Sequence, residues 1–405
     1  MLDVVFFSRL IPLDIKDDVL DKRKRTMSES GESLQWKIIE GLDANLDNPV
    51  KLLNYLPVQS YPEYYSEAFI KRHEFSHCEG SEDLCLPFIN IKYIKRLVMW
   101  ISLYKEIKKW AVSNTENEKV IISYSLIPEF TKAIYIAKKV NPGIKVCAVV
   151  ADLPEYTILT KKVDWSSRLY LNWMKRKTSK HLNSVDCFAL LTNQMADRLA
   201  AQQKYIVIEG IASSFPSDMG VKKRVSNAKR ILYAGTLNER FGVMYLVSAF
   251  MQIKDSDYRL VICGIGDSEE KIKSLSRVDH RIIYMGQLKR EQVLNEMLNS
   301  SVIVNPRLNG EEFTKYSFPS KNLEALSSGV PFVGYKLAGI PDEYDEFINY
   351  PADESIGSLA MKIIEVVEDV DGAFQKKATE AKRWVLQNKN ATKQTARILG
   401  LITGK

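Results

Sequence analysis

Lys321 and Glu324 stand one helical turn apart, spaced to hold a phosphate and a hydroxylated sugar side by side. They belong to the run Phe313 to Gly329, in which Ser317 and Ser320 flank Phe318-Pro319 and Asn322 to Leu326 continue as helix. Proline suits the first helical position, because its missing N–H would be unpaired there anyway, and Gly329 with Pro331 ends the helix. The free N–H groups and positive dipole end of such a helix attract an anion. A cation at Lys321 disfavours the helix itself, and a bound phosphate offsets that cost.

A second cation lies in the loop Gly235 to Gly242, which includes Thr236. The loop follows one apolar run and precedes another, so its N–H groups can face an anion, and Arg240 is its fixed positive charge. Alone, Arg240 reads as a surface arginine in a tight turn. With Lys321 on another loop of the same sheet, it reads as the second jaw of a diphosphate clamp. Gly264-x-Gly266-x-x-Glu269 lacks the third glycine of a dinucleotide fingerprint, and is read as a close backbone approach beside a nucleotide. Asp152 follows the apolar run Lys145 to Val150, at the strand end where open α/β sheets bind ligands. It is a candidate beside a bound ligand and equally a turn cap. Asp255-x-Asp257 and Asp369-x-Asp371 read as solvated turns, not as a Mn²⁺ or Mg²⁺ pair, and His73, His77, His181 and His280 show no metal spacing.

These residues need a scaffold of alternating strands and helices. The apolar runs predict strands at 4–7, 50–56, 120–123, 145–150, 187–191 and 205–208, then at 230–234, 258–263, 281–285, 302–305 and 331–335, with helical patterns between most of them. That alternation predicts doubly wound α/β domains. The polar stretch from residue 8 to about Leu34 reads as a long loop, and 58–88 has no clear period. Residues 212–227, rich in Ser, Pro, Gly and Lys, read as a linker between domains 1–212 and 213–386. Ala373 to Ile402 reads as one closing helical run whose end, about 387–405, packs back on the first domain. Two basic amphipathic segments, 91–112 and 169–182, read as solvated helix faces or as contacts with anionic lipid.

The totals set bounds. With 405 residues, 45% hydrophobic and 26% charged, the chain is globular and long enough for two cores. A net charge of +7 suits a phosphorylated small molecule or an anionic membrane as well as nucleic acid. The five scattered cysteines form no C-x-x-C pair, which argues against disulfides and zinc and for a reducing compartment. No signal peptide and no membrane span are expected.

Tyr233-Ala234-Gly235-Thr236-Leu237 with Arg240 and Gly242, Cys263-Gly264-x-Gly266, Tyr284-Met285-Gly286-Gln287-Leu288, Val304-Asn305-Pro306-Arg307, and Ser317-Phe318-Pro319-Ser320-Lys321-x-x-Glu324 before Ser328-Gly329-Val330-Pro331 occur in that order. The set resembles the donor-binding half of glycosyltransferase family 4, in its branch with a Ser-Phe-Pro-Ser-Lys donor motif. The resemblance covers about 230–344. It implies a GT-B fold, two Rossmann-like domains facing a cleft, and a retaining transferase that uses a nucleotide-diphospho-sugar, UDP ahead of GDP. By this resemblance Glu324 binds the ribose hydroxyls and Arg240 and Lys321 face the diphosphate. Ser317 and Phe318 offer N–H groups, and Gln287 and Leu288 read the base. The first Glu of the family's paired motif is replaced by Tyr316, so Glu311 or Glu312 is the alternative for the sugar. The family implies no metal or other cofactor and no nucleic acid. The expected acceptor is a lipid-linked or oligosaccharide hydroxyl in bacterial surface polysaccharide assembly, reached from the cytoplasm at the inner membrane face. A GT-B epimerase and a non-catalytic partner subunit are the rival readings.

Overall fold

A computed structural model of the chain describes all residues except 25–29, 93, 114–115, 154–164, 200–201, 216–227, 311 and 405. They separate into two units, Met1–Ile208 with Ala391–Lys405, and Glu209–Asn390. The chain thus crosses between units a few residues away from 212 and 387. Most of the expected linker lies outside the described residues.

In the first unit the sheet runs, in spatial order, Lys204–Val207, Cys187–Leu190, Lys145–Val150, Glu118–Tyr124, Leu2–Ser8, Lys51–Asn54, Asp83–Cys85 and His73–Phe75. Every neighbouring pair is parallel except the last. Val5, Phe6 and Phe7 are fully buried, as a central parallel strand covered on both faces requires. The helix Ala391–Thr403 packs on the helix Ser30–Asp43. They approach so closely that a Cβ on Gly41 would lie 2.3 Å from the Ala391 carbonyl oxygen. Asn45 adds hydrogen bonds to the Thr392 carbonyl (2.8 Å) and the Thr395 hydroxyl (3.0 Å).

The stretch expected as a long loop after the first strand differs. It holds a short helix, Lys16–Asp21, and the helix Ser30–Asp43 starts before the expected loop end at Leu34. Its polar residues have distant backbone partners: Gln35 accepts the Arg9 N–H (2.7 Å) and Glu32 the Ile11 N–H (2.8 Å). The aperiodic region 58–88 holds four short strands, Phe69–Ile70, His73–Phe75, Asp83–Cys85 and Phe88–Ile89.

In the second unit the spatial order is Ile282–Gly286, Tyr258–Cys263, Lys229–Ala234, Val302–Asn305 and Phe332–Gly334, all parallel. Helices Val243–Gln252, Glu269–Val278, Arg290–Leu298, Ser320–Ser328 and Ile356–Val367 connect or cover these strands. The closing helical run is not continuous. It breaks at Lys389 into Ala373–Asn388 and Ala391–Thr403. There Asn388 and Asn390 hydrogen-bond the Trp384 and Leu386 carbonyls with their side chains, while buried Lys389 turns inward to Glu209.

Candidate active site

A doubly wound sheet places its ligand crevice beyond the carboxyl ends of the strands where their order reverses. In the second unit these are Lys229–Ala234 and Val302–Asn305. The loops that follow, 235–242 and 306–319, are the ones singled out above. They touch backbone to backbone, because Gly242 (φ +81°) leaves room where a Cβ would stand 2.2 Å from the Pro306 oxygen.

The first loop ends in a turn, Glu239–Phe241, where the Asn238 side chain accepts the Arg240 N–H. The Arg240 guanidinium lies 4.9 Å from the Phe241 ring and 5.2 Å from the Phe313 ring. Arg307, only 6% exposed, lies over the same two rings at 5.7 and 4.5 Å. One aromatic pair therefore carries two like charges. Among the described residues neither arginine has an ion-pair partner, and both Nε atoms are buried without a hydrogen bond. Arg307 donates to the Ser317 hydroxyl at 2.7 Å, and Ser317 donates to the Phe313 carbonyl at 3.1 Å. Burial, and then the charge of Arg240, hold the Arg307 guanidinium below its usual range. An anion placed between the arginines would relieve both costs.

The helix Ser320–Ser328 starts one residue later than expected. Pro319 is its N-cap, with φ −69°, and its carbonyl accepts the Asn322 N–H. No side chain caps this end, so its outward N–H groups stay available to a ligand. Buried Asn322 accepts a hydrogen bond from Asn305 at 2.7 Å, which ties the helix to the strand end. Lys321 is exposed and pairs with Glu324 at 2.8 Å, while Arg290 approaches the other Glu324 oxygen at 3.8 Å. Glu324 thus balances Lys321 from within the chain. Ser320 is the exposed first helical residue. The Phe318 ring is buried against Tyr344 (5.4 Å between centroids), so this residue has only its backbone to offer. Exposed Glu312 opens a turn that closes at half-buried Tyr316. Glu311 lies outside the described residues.

Gly264 and Gly266, expected at a backbone approach to a nucleotide, also meet a packing requirement. With φ +138°, Gly264 leaves no space for a Cβ, which would stand 1.8 Å from the Gly235 oxygen; on Gly266 it would stand 2.5 Å from the Leu237 oxygen. The glycines let two loops pack. Hydrogen bonds from Gly235 to the Cys263 carbonyl (3.0 Å) and from Gly264 to the Gly286 carbonyl (2.8 Å) fasten them. Thr236 is exposed, and its carbonyl accepts the Tyr233 hydroxyl. Gln287 is exposed just past the neighbouring strand, with Leu288 packed against the core. Asp152 belongs to the first unit, just past Lys145–Val150. It reaches solvent, yet desolvation by its surroundings raises its carboxyl above the usual range. Asp255 accepts the Asp257 N–H of its own turn, and Asp369 accepts the Phe374 and Gln375 N–H groups at the start of the helix Ala373–Asn388.

Sequence reasoning assigned no role to Arg307 or Arg290. Arg307 lies just past a strand's carboxyl end, the same position that drew attention to Asp152.

Residues 228–369 match the family described as glycosyl transferases group 1. No curated protein matches the chain. Among solved structures the chain is similar to a sucrose-phosphate synthase from Thermosynechococcus elongatus, at 15% identity and TM-score 0.64, covering 99% of this chain and 98% of that one. It is similar to the Anabaena protein HepE in complex with UDP, at 13% identity and TM-score 0.60, over 100% of both chains. The lipopolysaccharide outer core galactosyltransferase WaaB, in its apo form, matches at 13% identity and TM-score 0.62, over 100% of this chain and 99% of that one. The fold is GT-B, and with the group 1 domain over residues 228–369 the chain is a glycosyltransferase enzyme.

Proposed function

We propose that the chain is a retaining transferase of glycosyltransferase family 4, in the branch with the Ser-Phe-Pro-Ser-Lys donor motif. It moves a sugar from a nucleotide diphosphate, UDP ahead of GDP, to a hydroxyl of a lipid-linked saccharide in bacterial surface polysaccharide synthesis. The Arg240–Arg307 pair carries this reading. Charge grows on the diphosphate as its bond to the sugar's anomeric carbon breaks, and cations fixed in advance stabilise that charge without reorganisation. The acceptor oxygen bonds to the same carbon on the same face, and its proton passes to the departing phosphate oxygen. No protein base and no divalent metal are then needed in this step.

Lys321 and the N–H groups of Ser317, Phe318 and Ser320 take the phosphates, Glu324 the ribose, and the backbone of Gln287 and Leu288 the base. Glu312 and Tyr316 flank the sugar, the loops at Gly235-Thr236 and Gly264-Gly266 wall the site, and Asp152 lies near the acceptor. The UDP complex of HepE supports the choice of nucleotide, and the lipopolysaccharide transferase supports the acceptor class. No helix among the described residues is long and apolar enough to cross a membrane. Ile94, Ile101 and Val112 are exposed on or beside the lysine-rich helix Lys95–Val112, and Leu169 and Trp173 on the basic helix Trp165–Ser179, which supports peripheral contact with the inner membrane face.

A thermal-shift panel of UDP, GDP, ADP and their sugars tests the donor, since a ligand that binds only the native state raises the melting temperature. UDP is expected to give the largest rise, reduced in Arg240→Ala and Glu324→Ala. Sugar transfer and donor hydrolysis unchanged in Lys321→Ala and Glu324→Ala would defeat the catalytic reading. An isomerised sugar formed from a UDP-sugar alone would favour the epimerase.

A further inference from the structure

Beyond the donor site, the first unit holds a second group of side chains with defined chemistry. His77 is 4% exposed at its side chain and lies between two carboxylates. Its Nδ1 meets Asp83 Oδ2 at 2.6 Å and its Nε2 meets Asp43 Oδ2 at 2.9 Å. Ligand atoms of Asp43, His77 and Cys78 all lie within 4.8 Å of one another. The two carboxylates are not equivalent. Asp83, fully buried, also accepts the Leu52 N–H (2.9 Å), the His77 N–H (2.9 Å) and the Ser81 hydroxyl (3.0 Å). Its oxygens are used up in holding the ring. Asp43 has one oxygen on the Val50 N–H and the other facing the ring.

The loop that carries His77 and Cys78 is equally fixed. The Ser76 hydroxyl donates to the Ser81 carbonyl and the Ser81 hydroxyl to the Cys78 carbonyl, while Gly80 adopts φ +82°. Cys78 therefore stands beside the imidazole by construction. A histidine oriented by a carboxylate through one nitrogen, with its other nitrogen facing a thiol and a second carboxylate, is how proteins present zinc ligands.

We propose that Asp43, His77 Nε2 and Cys78 Sγ bind one Zn²⁺, with Asp83 as the residue that orients the imidazole. The donor set of one N, one S and one O suits zinc better than magnesium or calcium, which take oxygen alone. Binding releases the Nε2 and thiol protons, and the thiolate and the Asp43 carboxylate then balance the metal's two charges. Bond lengths of about 2.0 Å to nitrogen and oxygen and about 2.3 Å to sulfur replace the direct Nε2–Asp43 contact of 2.9 Å with two bonds to the metal. The fourth position is left to water. Leu52 and Asp83 lie at the amino ends of their strands, the edge opposite the one that binds ligands in such sheets. The metal's role is to brace the end of the helix Ser30–Asp43 against that edge.

Zinc titration of the full chain against a chromophoric chelator, after chelator treatment, tests this. One equivalent is expected in the wild type, with affinity about 10–100-fold lower in Asp83→Asn and no stoichiometric binding in Cys78→Ser. Cobalt(II) should give a thiolate charge-transfer band in the wild type that Cys78→Ser lacks. The melting temperature of Cys78→Ser in chelator should equal that of the wild type in chelator, which separates metal loss from misfolding. Equal zinc uptake by wild type and Cys78→Ser, or a cobalt complex without the thiolate band, would overturn the site and leave His77 as an ion-paired brace only.

Discussion

Arg307 is more buried than Arg240, Lys321 or Arg290, the other cations of the candidate site. Its guanidinium is buried over Phe313, close to Arg240 and bound to Ser317. A lysine cannot reproduce that arrangement, because it lacks the planar fork that stacks and donates in fixed directions. Arg307→Ala is expected to lower sugar transfer about 10²–10³-fold, the range for losing one fixed donor to a developing oxyanion. A single-turnover assay at saturating donor measures it, and a loss under about tenfold would make Arg307 part of the scaffold. Lys321, Glu324 and Arg240 were legible in the sequence because each is a charged residue at the junction of a strand, a loop and a helix. Arg307 carried the same positional signal. Its significance comes from Phe241 and Phe313, which meet at a ring separation of 6.2 Å only once the two loops fold together.

At the scale of elements, the loops of the second unit depend on backbone contacts that only glycine permits. Gly264 and Gly286 both have positive φ and are hydrogen-bonded to each other, but their surroundings differ. A Cβ on Gly286 would meet nothing within 4 Å, whereas one on Gly264 would overlap the Gly235 oxygen. Gly286→Ala should therefore cost about 1–2 kcal/mol, the ordinary penalty of a left-handed residue. Gly264→Ala should cost more than that and displace the loop that carries Thr236. Urea melts of the two variants compare them directly; equal destabilisation would contradict the contact. The strands were legible because a parallel sheet covered on both faces selects continuous β-branched runs such as Val302-Ile303-Val304. The helix at Ser30 and the break at Lys389 were not, because each depends on partners far away in sequence. Glu32 and Gln35 bind the segment after the first strand, and Lys389 binds Glu209.

At the scale of the whole molecule, the chain enters the second unit at Glu209 and leaves it just after Lys389. The two points are fastened together. Lys389 Nζ lies 2.6 Å from Glu209 and 2.6 Å from Glu343, the Tyr344 hydroxyl reaches Glu209, and the Ala212 N–H donates to the Lys389 carbonyl at 2.7 Å. Glu209 and Lys389 are both almost fully buried, so removing Lys389 leaves the Glu209 carboxylate without its cation. Lys389→Met is expected to destabilise the second unit by about 3–5 kcal/mol, and adding Glu209→Gln should restore much of the loss. Chemical denaturation of both variants measures the difference, and no recovery in the double variant would show that the pair does not act as a unit.

The same topology has a consequence for synthesis. The first unit is assembled from both ends of the chain, and its helix Ala391–Thr403 seats on Ser30–Asp43 at Gly41. A ribosome releases every residue of the second unit before that helix. The second unit can therefore close while the first still has an open seat, and the nascent chain must keep that seat from other partners until the helix Ala391–Thr403 emerges.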